Sequence, residues 1–343
     1  AHARFPRILG DLTLMALHPS ISERLSLIEG LPSWREALAD PAVQPRLQEY
    51  RTWKAAPALP FVGTGDESVP GPHGPIKVRV YRPPSAPQRL RPGLVWVHGG
   101  GWVFGDLDMH EADWTAREVC ARADAVVVSV DYRLALDGVT YPVPHDDVVA
   151  GVRWVRDNAA MLGIEPARIT VGGASAGANL AAGAVLRLRD DDNWLPAALV
   201  LAYATVHAVS PPLAPPLAEA FAPLPRMVRI LPEDVAEMTA GYLGGTPDPH
   251  GYAFPAGAVL DGLCPTLALD AEYDDLRAGS EAFAAALVKS GVPVRHVTVP
   301  GVLHGFLNLP SSVEPVDRAL AVLAETVTTA HAGERAPDQG EGE

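Results

Sequence analysis

The sequence predicts an α/β fold in which helices flank a mostly parallel central sheet. Runs of β-branched and apolar residues alternate with helical windows over most of the 343 residues, and this rhythm is typical of strand, helix, strand units. Two glycine-rich segments directly follow such apolar runs. The rhythm is interrupted once, at 207–251. The length admits one large domain with insertions or two ordinary domains.

The N-terminal part of the chain predicts short helices. Apolar residues recur there at helical spacing, for example Ile8, Leu12 and Leu25. We expect the helices to be separated by prolines, which are Pro19, Pro32, Pro41 and Pro45. Residues 57–75 are rich in proline and glycine, so this stretch predicts a connector to a new architecture.

From residue 76 onwards the pattern predicts strands alternating with helices. Residues 76–82 alternate in strand fashion, whereas 94–98 and 126–131 are apolar strands. The other predicted strands are 169–172, 198–203, 266–270 and 294–299. The predicted helices are 111–122, 146–162, 176–189, 280–290 and 316–329.

Two segments fall outside this rhythm. Residues 207–251 are rich in proline and contain one predicted helix, at 232–243, so we expect an insertion that leaves the sheet and packs elsewhere. Residues 332–343 carry four acidic residues and one arginine without an apolar pattern. This composition predicts a disordered acidic tail.

Charge and composition argue against several classes of function. The net charge of −14 repels phosphate backbones, and since no basic patch offsets it, we expect no nucleic-acid partner. The longest apolar run, 197–206, is about half of the roughly 20 residues that a membrane span needs. The first residues lack the layout of a secretory signal, so a cytoplasmic location is expected.

No cofactor or metal is predicted either. Cys120 and Cys264 are too few for a disulfide framework, and neither has a second cysteine at metal-ligand spacing. The histidines also lack such spacing, and no dinucleotide fingerprint or phosphate-binding loop is present.

The most informative motif is Gly-Ala-Ser-Ala-Gly at 173–177, which lies between a predicted strand and a predicted helix. A nucleophilic serine needs a tight turn that exposes its hydroxyl at the end of the sheet, and glycines at 173 and 177 allow strand and helix to approach closely. Ser175 would then lie at a helix N-terminus, which favours developing negative charge. The motif alone is a weak signal.

A second motif, His-Gly-Gly-Gly-Trp at 98–102, follows the strand at 94–98. Three glycines after an apolar strand expose backbone amides with no side chain in the way, as an oxyanion site requires. Trp102 either lines a pocket or packs beside the loop. The serine motif and the glycine motif would be the two halves of an acyl-transfer site, and each follows the carboxyl end of a predicted strand. We therefore favour an oxyanion site over the alternative that the three glycines form only a flexible turn.

A serine nucleophile needs a base and an acid that orients the base. His304 is the favoured base, because it follows the last predicted strand in a glycine-flanked loop. Asp274 follows the strand at 266–270, but three neighbouring acids compete for its role, namely Asp270, Glu272 and Asp275. The order serine, acid, histidine is that expected of an α/β-hydrolase.

Taken together, the motifs resemble those of the bacterial hormone-sensitive-lipase-like esterases (family IV), a branch of the α/β-hydrolase superfamily, over about 78–323. Besides the two glycine motifs, the matching segments are Asp-Tyr-Arg-Leu-Ala at 131–135, Glu-Tyr-Asp at 272–274 with Leu-Arg at 276–277, and His-Gly-Phe at 304–306. The resemblance implies Ser175 as nucleophile, Asp274 as orienting acid and His304 as general base. It also implies an oxyanion hole made by the amides of Gly100, Gly101 and Ala176.

The resemblance also implies the domain organisation. Residues 1–55 would be the N-terminal part of a helical cap and 207–251 a cap insertion, while 56–206 and 252–331 would be the two parts of the hydrolase core. The family commonly has Asp at 174, Gly at 178 and Pro at 275, where this chain has Ala174, Ala178 and Asp275. The usual Tyr-Pro-Val-Thr-Asp run is replaced at 203–207 by Tyr-Ala-Thr-Val-His. These departures bear on pocket shape and substrate choice.

We therefore expect a serine carboxylesterase that hydrolyses short- to medium-chain esters through an acyl-enzyme, with a small-molecule ester as its partner. An amidase, a lactonase or an acyltransferase would use the same triad, and a long-chain lipase or a non-catalytic receptor of the same fold are further alternatives. For the oligomeric state, analogy with the family suggests a homodimer that forms through an exposed edge strand.

Overall fold

The central feature of the computed structural model is one sheet of eight strands; the structure describes residues 17–53, 58–85 and 89–332. The strands are β1 (Gly63–Val69), β2 (Ile76–Arg82), β3 (Arg91–Val97), β4 (Val126–Asp131), β5 (Ile164–Ala174), β6 (Ala198–Ala202), β7 (Thr266–Tyr273) and β8 (Val294–Leu303).

The helices precede, connect and cover these strands. They are α1 (Pro19–Ser22), α2 (Trp34–Ala39), α3 (Gln44–Arg51), α4 (His110–Arg122), α5 (Val143–Asp157), α6 (Ala159–Leu162), α7 (Ala176–Asp192), α8 (Pro215–Phe221), α9 (Pro232–Leu243), α10 (Arg277–Lys289) and α11 (Glu314–Thr329). None of the helices in the described ranges is long and apolar enough to cross a membrane.

The sheet has the order β1-β2-β4-β3-β5-β6-β7-β8. Strand β2 runs antiparallel to both β1 and β4, and every other neighbouring pair is parallel. The predicted α/β-hydrolase fold with a mostly parallel sheet is therefore confirmed.

Both faces of the sheet are covered by helices because its central strands are apolar on both sides. Val128 of β4 belongs to one core, shared with Leu180 of α7 and with side chains of α5 and α10. Its neighbour Val127 points to the opposite face and shares a second core with Val119 of α4 and Leu320 of α11. Alternation along each strand thus places consecutive side chains in different cores.

Strand β1 corrects the expectation of a plain connector at 57–75. Its sequence, Gly-Thr-Gly-Asp-Glu-Ser-Val, is mostly exposed because it forms one edge of the sheet. Apolar alternation is therefore absent, and the strand is held by its ladder with β2 and by ion pairs from Asp66 to Lys77 and Arg79. Edge strands of this polar kind give little periodic signal.

Short helices are present in the N-terminal segment, but the prolines do not all separate them. Pro19 is the first residue of α1, and Pro45 lies in the first turn of α3. Proline is tolerated there because the first turn of a helix leaves its N–H groups unpaired. The N-terminal prediction over residues 5–16 lies outside the described residues, as does the predicted acidic tail apart from Ala332.

The segment 207–251 contributes no strand in the described structure, and its apolar side chains join both cores, for example Val235 in the first and Phe221 in the second. Helix α9 has the predicted bounds of 232–243, whereas α8 was not predicted. Its first two residues are Pro215 and Pro216. Proline is compatible with the first turn of a helix, so a proline-rich sequence does not exclude a helix that begins at those prolines.

Candidate active site

Ser175 occupies the sharp turn between β5 and α7. Its backbone has φ 53° and ψ −117°, a combination that non-glycine residues seldom adopt and that marks strain. The turn is fixed by the Ser175 N–H, which donates to the carbonyl of Ala202 at 2.8 Å. A side chain at Gly177 would place its Cβ 2.1 Å from the carbonyl oxygen of Val97. Glycine at 177 is therefore required for α7 to start so close to β3.

A continuous hydrogen-bonded path links Ser175, His304 and Asp274. His304 Nε2 lies 3.0 Å from Ser175 Oγ, and His304 Nδ1 lies 2.7 Å from Asp274 Oδ2. A carboxylate oxygen only accepts, so Nδ1–H donates to Asp274 and Nε2 is free to accept from the serine hydroxyl. The arrangement can move a proton from Ser175 to His304.

The sheet explains why Asp274 and His304 meet. Asp274 follows the last residue of β7, and His304 follows the last residue of β8. These two parallel strands are neighbours, and their final residues, Tyr273 and Leu303, are directly paired. Carboxyl ends of parallel strands are where side chains of open α/β sheets converge.

Geometry also distinguishes Asp274 from the three acids that competed with it. The Asp274 side chain is almost fully buried, and its Oδ1 accepts from the N–H of Leu276 at 2.9 Å. The other three acids have different partners. Asp270 lies 2.5 Å from His296 Nε2, Glu272 accepts from the N–H of Gly301 at 2.7 Å, and Asp275 pairs with Arg229.

The peptide between Gly99 and Gly100 is held through its carbonyl. The Gly99 carbonyl accepts from His98 Nδ1 at 2.8 Å, whereas the Tyr132 hydroxyl donates to the His98 carbonyl at 3.1 Å and lies 3.4 Å from the Gly99 carbonyl. Burial lowers the pKa of His98 to about 4, so its ring is neutral and the donating tautomer is fixed by this bond. Because the peptide is trans, the Gly100 N–H points opposite to the held carbonyl.

The glycines of this loop are dictated by its backbone. Gly100 has φ +114°, and a Cβ there would lie 1.9 Å from the carbonyl oxygen of Phe104. In the described part of the chain, the amides of Gly100, Gly101 and Ala176 donate no backbone hydrogen bond outside the helices and strands. They are available as donors to a bound group.

Glu111 lies directly behind this loop and was not among the residues that the sequence pointed to. Its fully buried carboxyl accepts from Trp96 Nε1 at 2.6 Å and from the N–H of Gly99 at 2.8 Å. Burial raises the pKa of this carboxyl to about 7. An acid in the first turn of a helix normally faces solvent, where it interacts favourably with the helix dipole. The sequence therefore gave no indication that Glu111 is buried.

Thr205 is a second residue that sequence reasoning missed. Its Oγ1 lies 3.5 Å from Ser175 Oγ, and its carbonyl accepts from Asn179 Nδ2 at 2.9 Å. Thr205 belongs to the segment 203–207, where the chain departs from the family run that it resembles. The departure therefore lies beside Ser175.

A cavity of about 580 Å³ opens onto Ser175, His304 and the glycine loop. Much of its lining is aromatic or aliphatic and comes from both predicted cap segments. The lining side chains from 17–53 include Trp34, Tyr50 and Trp53, and those from 207–251 are Met227, Val228, Ile230 and Met238. Trp102 instead stacks on Tyr242, with ring centroids 4.6 Å apart, so of its two interpretations packing is the one observed.

In the segment Asp-Tyr-Arg at 131–133, Tyr132 and Arg133 make structural contacts. Arg133 pairs with the buried Asp147 at 2.5 Å and donates to the carbonyl of Pro75 at 3.1 Å. Tyr132 stacks on His98, with ring centroids 4.4 Å apart. Tyr132 therefore supports the start of the glycine loop at His98.

Residues 94–308 match the family model described as alpha/beta hydrolase fold. Carboxylesterase NlhH of Mycobacterium tuberculosis is 39% identical over 259 residues, covering 72% of this chain and 77% of the relative. Esterase LipI of the same organism is 32% identical over 331 residues, covering 91% and 94%. A solved structure of a hyperthermophilic esterase from the archaeon Pyrobaculum calidifontis has a TM-score of 0.74 at 30% identity, covering 92% of this chain and 98% of its own.

Proposed function

Since this chain belongs to the hormone-sensitive-lipase-like branch of the α/β hydrolase family and is a carboxylic-ester hydrolase, we propose that Ser175, His304 and Asp274 are its catalytic triad. The observation that carries the proposal is the path of two hydrogen bonds, 2.7 Å and 3.0 Å long, from Asp274 through His304 to Ser175. It matches the order of acid, base and nucleophile that acyl transfer needs.

Acylation would proceed as follows. His304 Nε2 takes the hydroxyl proton while Ser175 Oγ bonds to the ester carbonyl carbon, and the carbonyl π electrons move to its oxygen. The tetrahedral intermediate then collapses, the bond to the alkoxy oxygen breaks, and Nε2 returns the proton to the departing alcohol. Water repeats the same two steps on the acyl-enzyme and releases the acid and Ser175.

The developing oxyanion would be bound by the N–H groups of Gly100, Gly101 and Ala176. Their availability as donors and the position of Ala176 at the N-terminus of α7 support this role. Loss of a single such donor typically lowers kcat by about 10²- to 10³-fold.

Covalent labelling tests the identity of the nucleophile. We expect a fluorophosphonate probe to form one adduct, on Ser175, because the serine attacks phosphorus as it attacks a carbonyl carbon. Peptide mass spectrometry locates the adduct. The S175A variant should not react, whereas S68A, which changes an exposed serine on β1, should react like the wild type. An adduct elsewhere, or undiminished labelling of S175A, refutes the assignment.

We further propose that the acyl groups accepted are short to medium in length. The cavity of about 580 Å³ with its aromatic walls supports this size class. A series of p-nitrophenyl esters from acetate to palmitate tests it: kcat/KM should be highest at or below octanoate. A maximum at palmitate contradicts the proposal.

The two segments 1–55 and 207–251 are proposed to form a cap over the core segments 56–206 and 252–331. Support comes from the cavity, whose wall opposite the sheet includes described side chains of both segments. One ion pair ties the insertion to the loop of the catalytic acid. Arg229 donates to both carboxylate oxygens of Asp275 at 2.8 Å, and the N–H of Ile230 donates to Asp275 at 2.8 Å.

Removing this ion pair should loosen the cap. Asp275 and Arg229 are 8% and 14% exposed, and breaking a buried pair by removing one partner costs about 3–5 kcal/mol. For D275N we expect the free energy of unfolding in urea to fall by about 3 kcal/mol. We also expect KM for p-nitrophenyl butyrate to rise several-fold with little change in kcat, because Val228 and Ile230 line the cavity.

The control is E314Q, which breaks the exposed pair of Glu314 and Arg318. It should cost less than about 1 kcal/mol and leave KM unchanged. A D275N enzyme with a reduced kcat and an unchanged KM would contradict the cap role, since it would mean that the pair acts on the neighbouring Asp274 instead.

A further inference from the structure

Glu111 is a buried acid without a cationic partner among the ion pairs of the described residues. Its carboxyl lies between β3 and the glycine loop, in the first turn of α4. Taking a carboxyl group out of water is unfavourable unless hydrogen bonds replace the lost hydration. The two N–H donors of Trp96 and Gly99 supply that replacement, so the acid is held there by specific contacts and not by solvent.

The two contacts join a rigid element to a flexible one. Trp96 belongs to β3 and is fully buried, whereas Gly99 begins a run of three glycines. Such a run has no side chains to limit its backbone conformation. By accepting from both, Glu111 ties the start of the loop to the core of the sheet.

Both polar groups of Gly99 are thereby fixed. Glu111 Oε2 accepts from its N–H at 2.8 Å, and His98 Nδ1 donates to its carbonyl at 2.8 Å. Fixing both groups sets the planes of the peptides on either side of Gly99. The second of these peptides carries the Gly100 N–H, and its direction follows from the carbonyl to which it is trans.

We propose that Glu111 is a positioning residue of the oxyanion hole, which holds the Gly100 N–H in the direction that the transition state requires. The inference rests on the proposed function, because it assigns a role within the same site. Glu111 does not contact the substrate in this account, although it borders the cavity. It acts through the Gly99 backbone.

The role predicts a specific kinetic signature. Negative charge on the carbonyl oxygen develops in the transition state and is absent from the bound ester, so misdirecting one donor lowers kcat and leaves ground-state binding almost unchanged. A carboxylate accepts at both oxygens, whereas the amide of glutamine has one acceptor and one donor. In E111Q the amide NH₂ therefore meets one of the two N–H donors and cannot accept from it.

For E111Q we expect kcat with p-nitrophenyl butyrate to fall by about 10- to 100-fold and KM to stay within about twofold of the wild type. The fall is smaller than for outright loss of a donor because the Gly100 N–H is misdirected and not removed. The rate of fluorophosphonate labelling of Ser175 should fall in parallel, since that reaction uses the same donors.

The matched control is E118Q, on the same helix. Glu118 has a side chain 7% exposed and pairs with Arg122 at 2.9 Å, away from the loop. We expect E118Q to unfold at a lower temperature but to keep the wild-type kcat. Equal kcat losses in E111Q and E118Q, or a rise in KM alone in E111Q, would overturn the proposal.

A variant with the charge retained covers the case in which E111Q does not fold. E111D shortens the side chain by one methylene group and cannot reach both donors, so its kcat should also fall with KM unchanged; a wild-type kcat for E111D refutes the positioning role. Failure of the proposed function is seen separately, because S175A would then remain active whatever the result at position 111.

Discussion

The S175A variant should lose kcat for p-nitrophenyl butyrate by roughly 10⁵- to 10⁶-fold, with KM almost unchanged. The hydroxyl is the group that bonds to substrate carbon, and alanine offers no nucleophilic atom in its place. The cavity and the glycine loop are unaffected by removal of one oxygen, so substrate binding should persist. Steady-state kinetics and a urea unfolding curve on the same preparation would separate lost chemistry from lost structure.

The neighbouring hydroxyl of Thr205 provides the control for this experiment. It is 3.5 Å from Ser175 Oγ, whereas His304 Nε2 bonds to Ser175, so Thr205 lacks a base of its own. T205V alone should therefore retain most of the wild-type kcat. Residual activity in S175A that disappears in the double variant S175A/T205V would show that Thr205 substitutes as nucleophile. Activity of S175A within tenfold of wild type rules out our assignment.

The sequence pointed to Ser175 and His304 because both lie in glycine-flanked turns at strand ends. Such positions are readable from local pattern alone, since glycine spacing and strand periodicity are properties of neighbouring residues. Asp274 was different, because periodicity did not separate it from Asp270, Glu272 and Asp275. Only the family resemblance favoured it. In the structure the four acids are distinguished by their partners, and Asp274 alone of the four bonds to His304. Those partners lie far away in the sequence, so no local pattern contains them.

The features that were missed depend on contacts distant in sequence. Glu111 is buried by packing against Trp96 and Gly99, although its residue type predicts exposure. Strand β1 lacks an apolar pattern because it forms an exposed edge of the sheet, where its ladder with β2 and ion pairs from Asp66 hold it. Tertiary context therefore overrides residue preference in both directions, by burying an acid and by ordering a polar strand.

The D274N variant should lose kcat by about 10⁴-fold while KM changes little. Asparagine can keep the acceptor that binds the Leu276 N–H, so the loop should retain its shape. Its amide NH₂, however, would face His304 Nδ1 and donate to it, which places the remaining ring proton on Nε2. That nitrogen then points a proton at Ser175 and cannot accept one, so the general base is lost although every residue remains in place.

The matched control for D274N is D270N, because Asp270 is similarly buried and lies within β7, just before Asp274, but bonds to His296 and not to His304. Burial raises the pKa of Asp270 and the bond to Asp270 raises the pKa of His296, so D270N should change stability and its pH dependence. It should leave kcat within a fewfold of the wild type. If D274N retained more than about a tenth of the wild-type kcat, or if D270N lost as much as D274N, the orienting acid would be a different residue and the proton path from Ser175 would have to be redrawn.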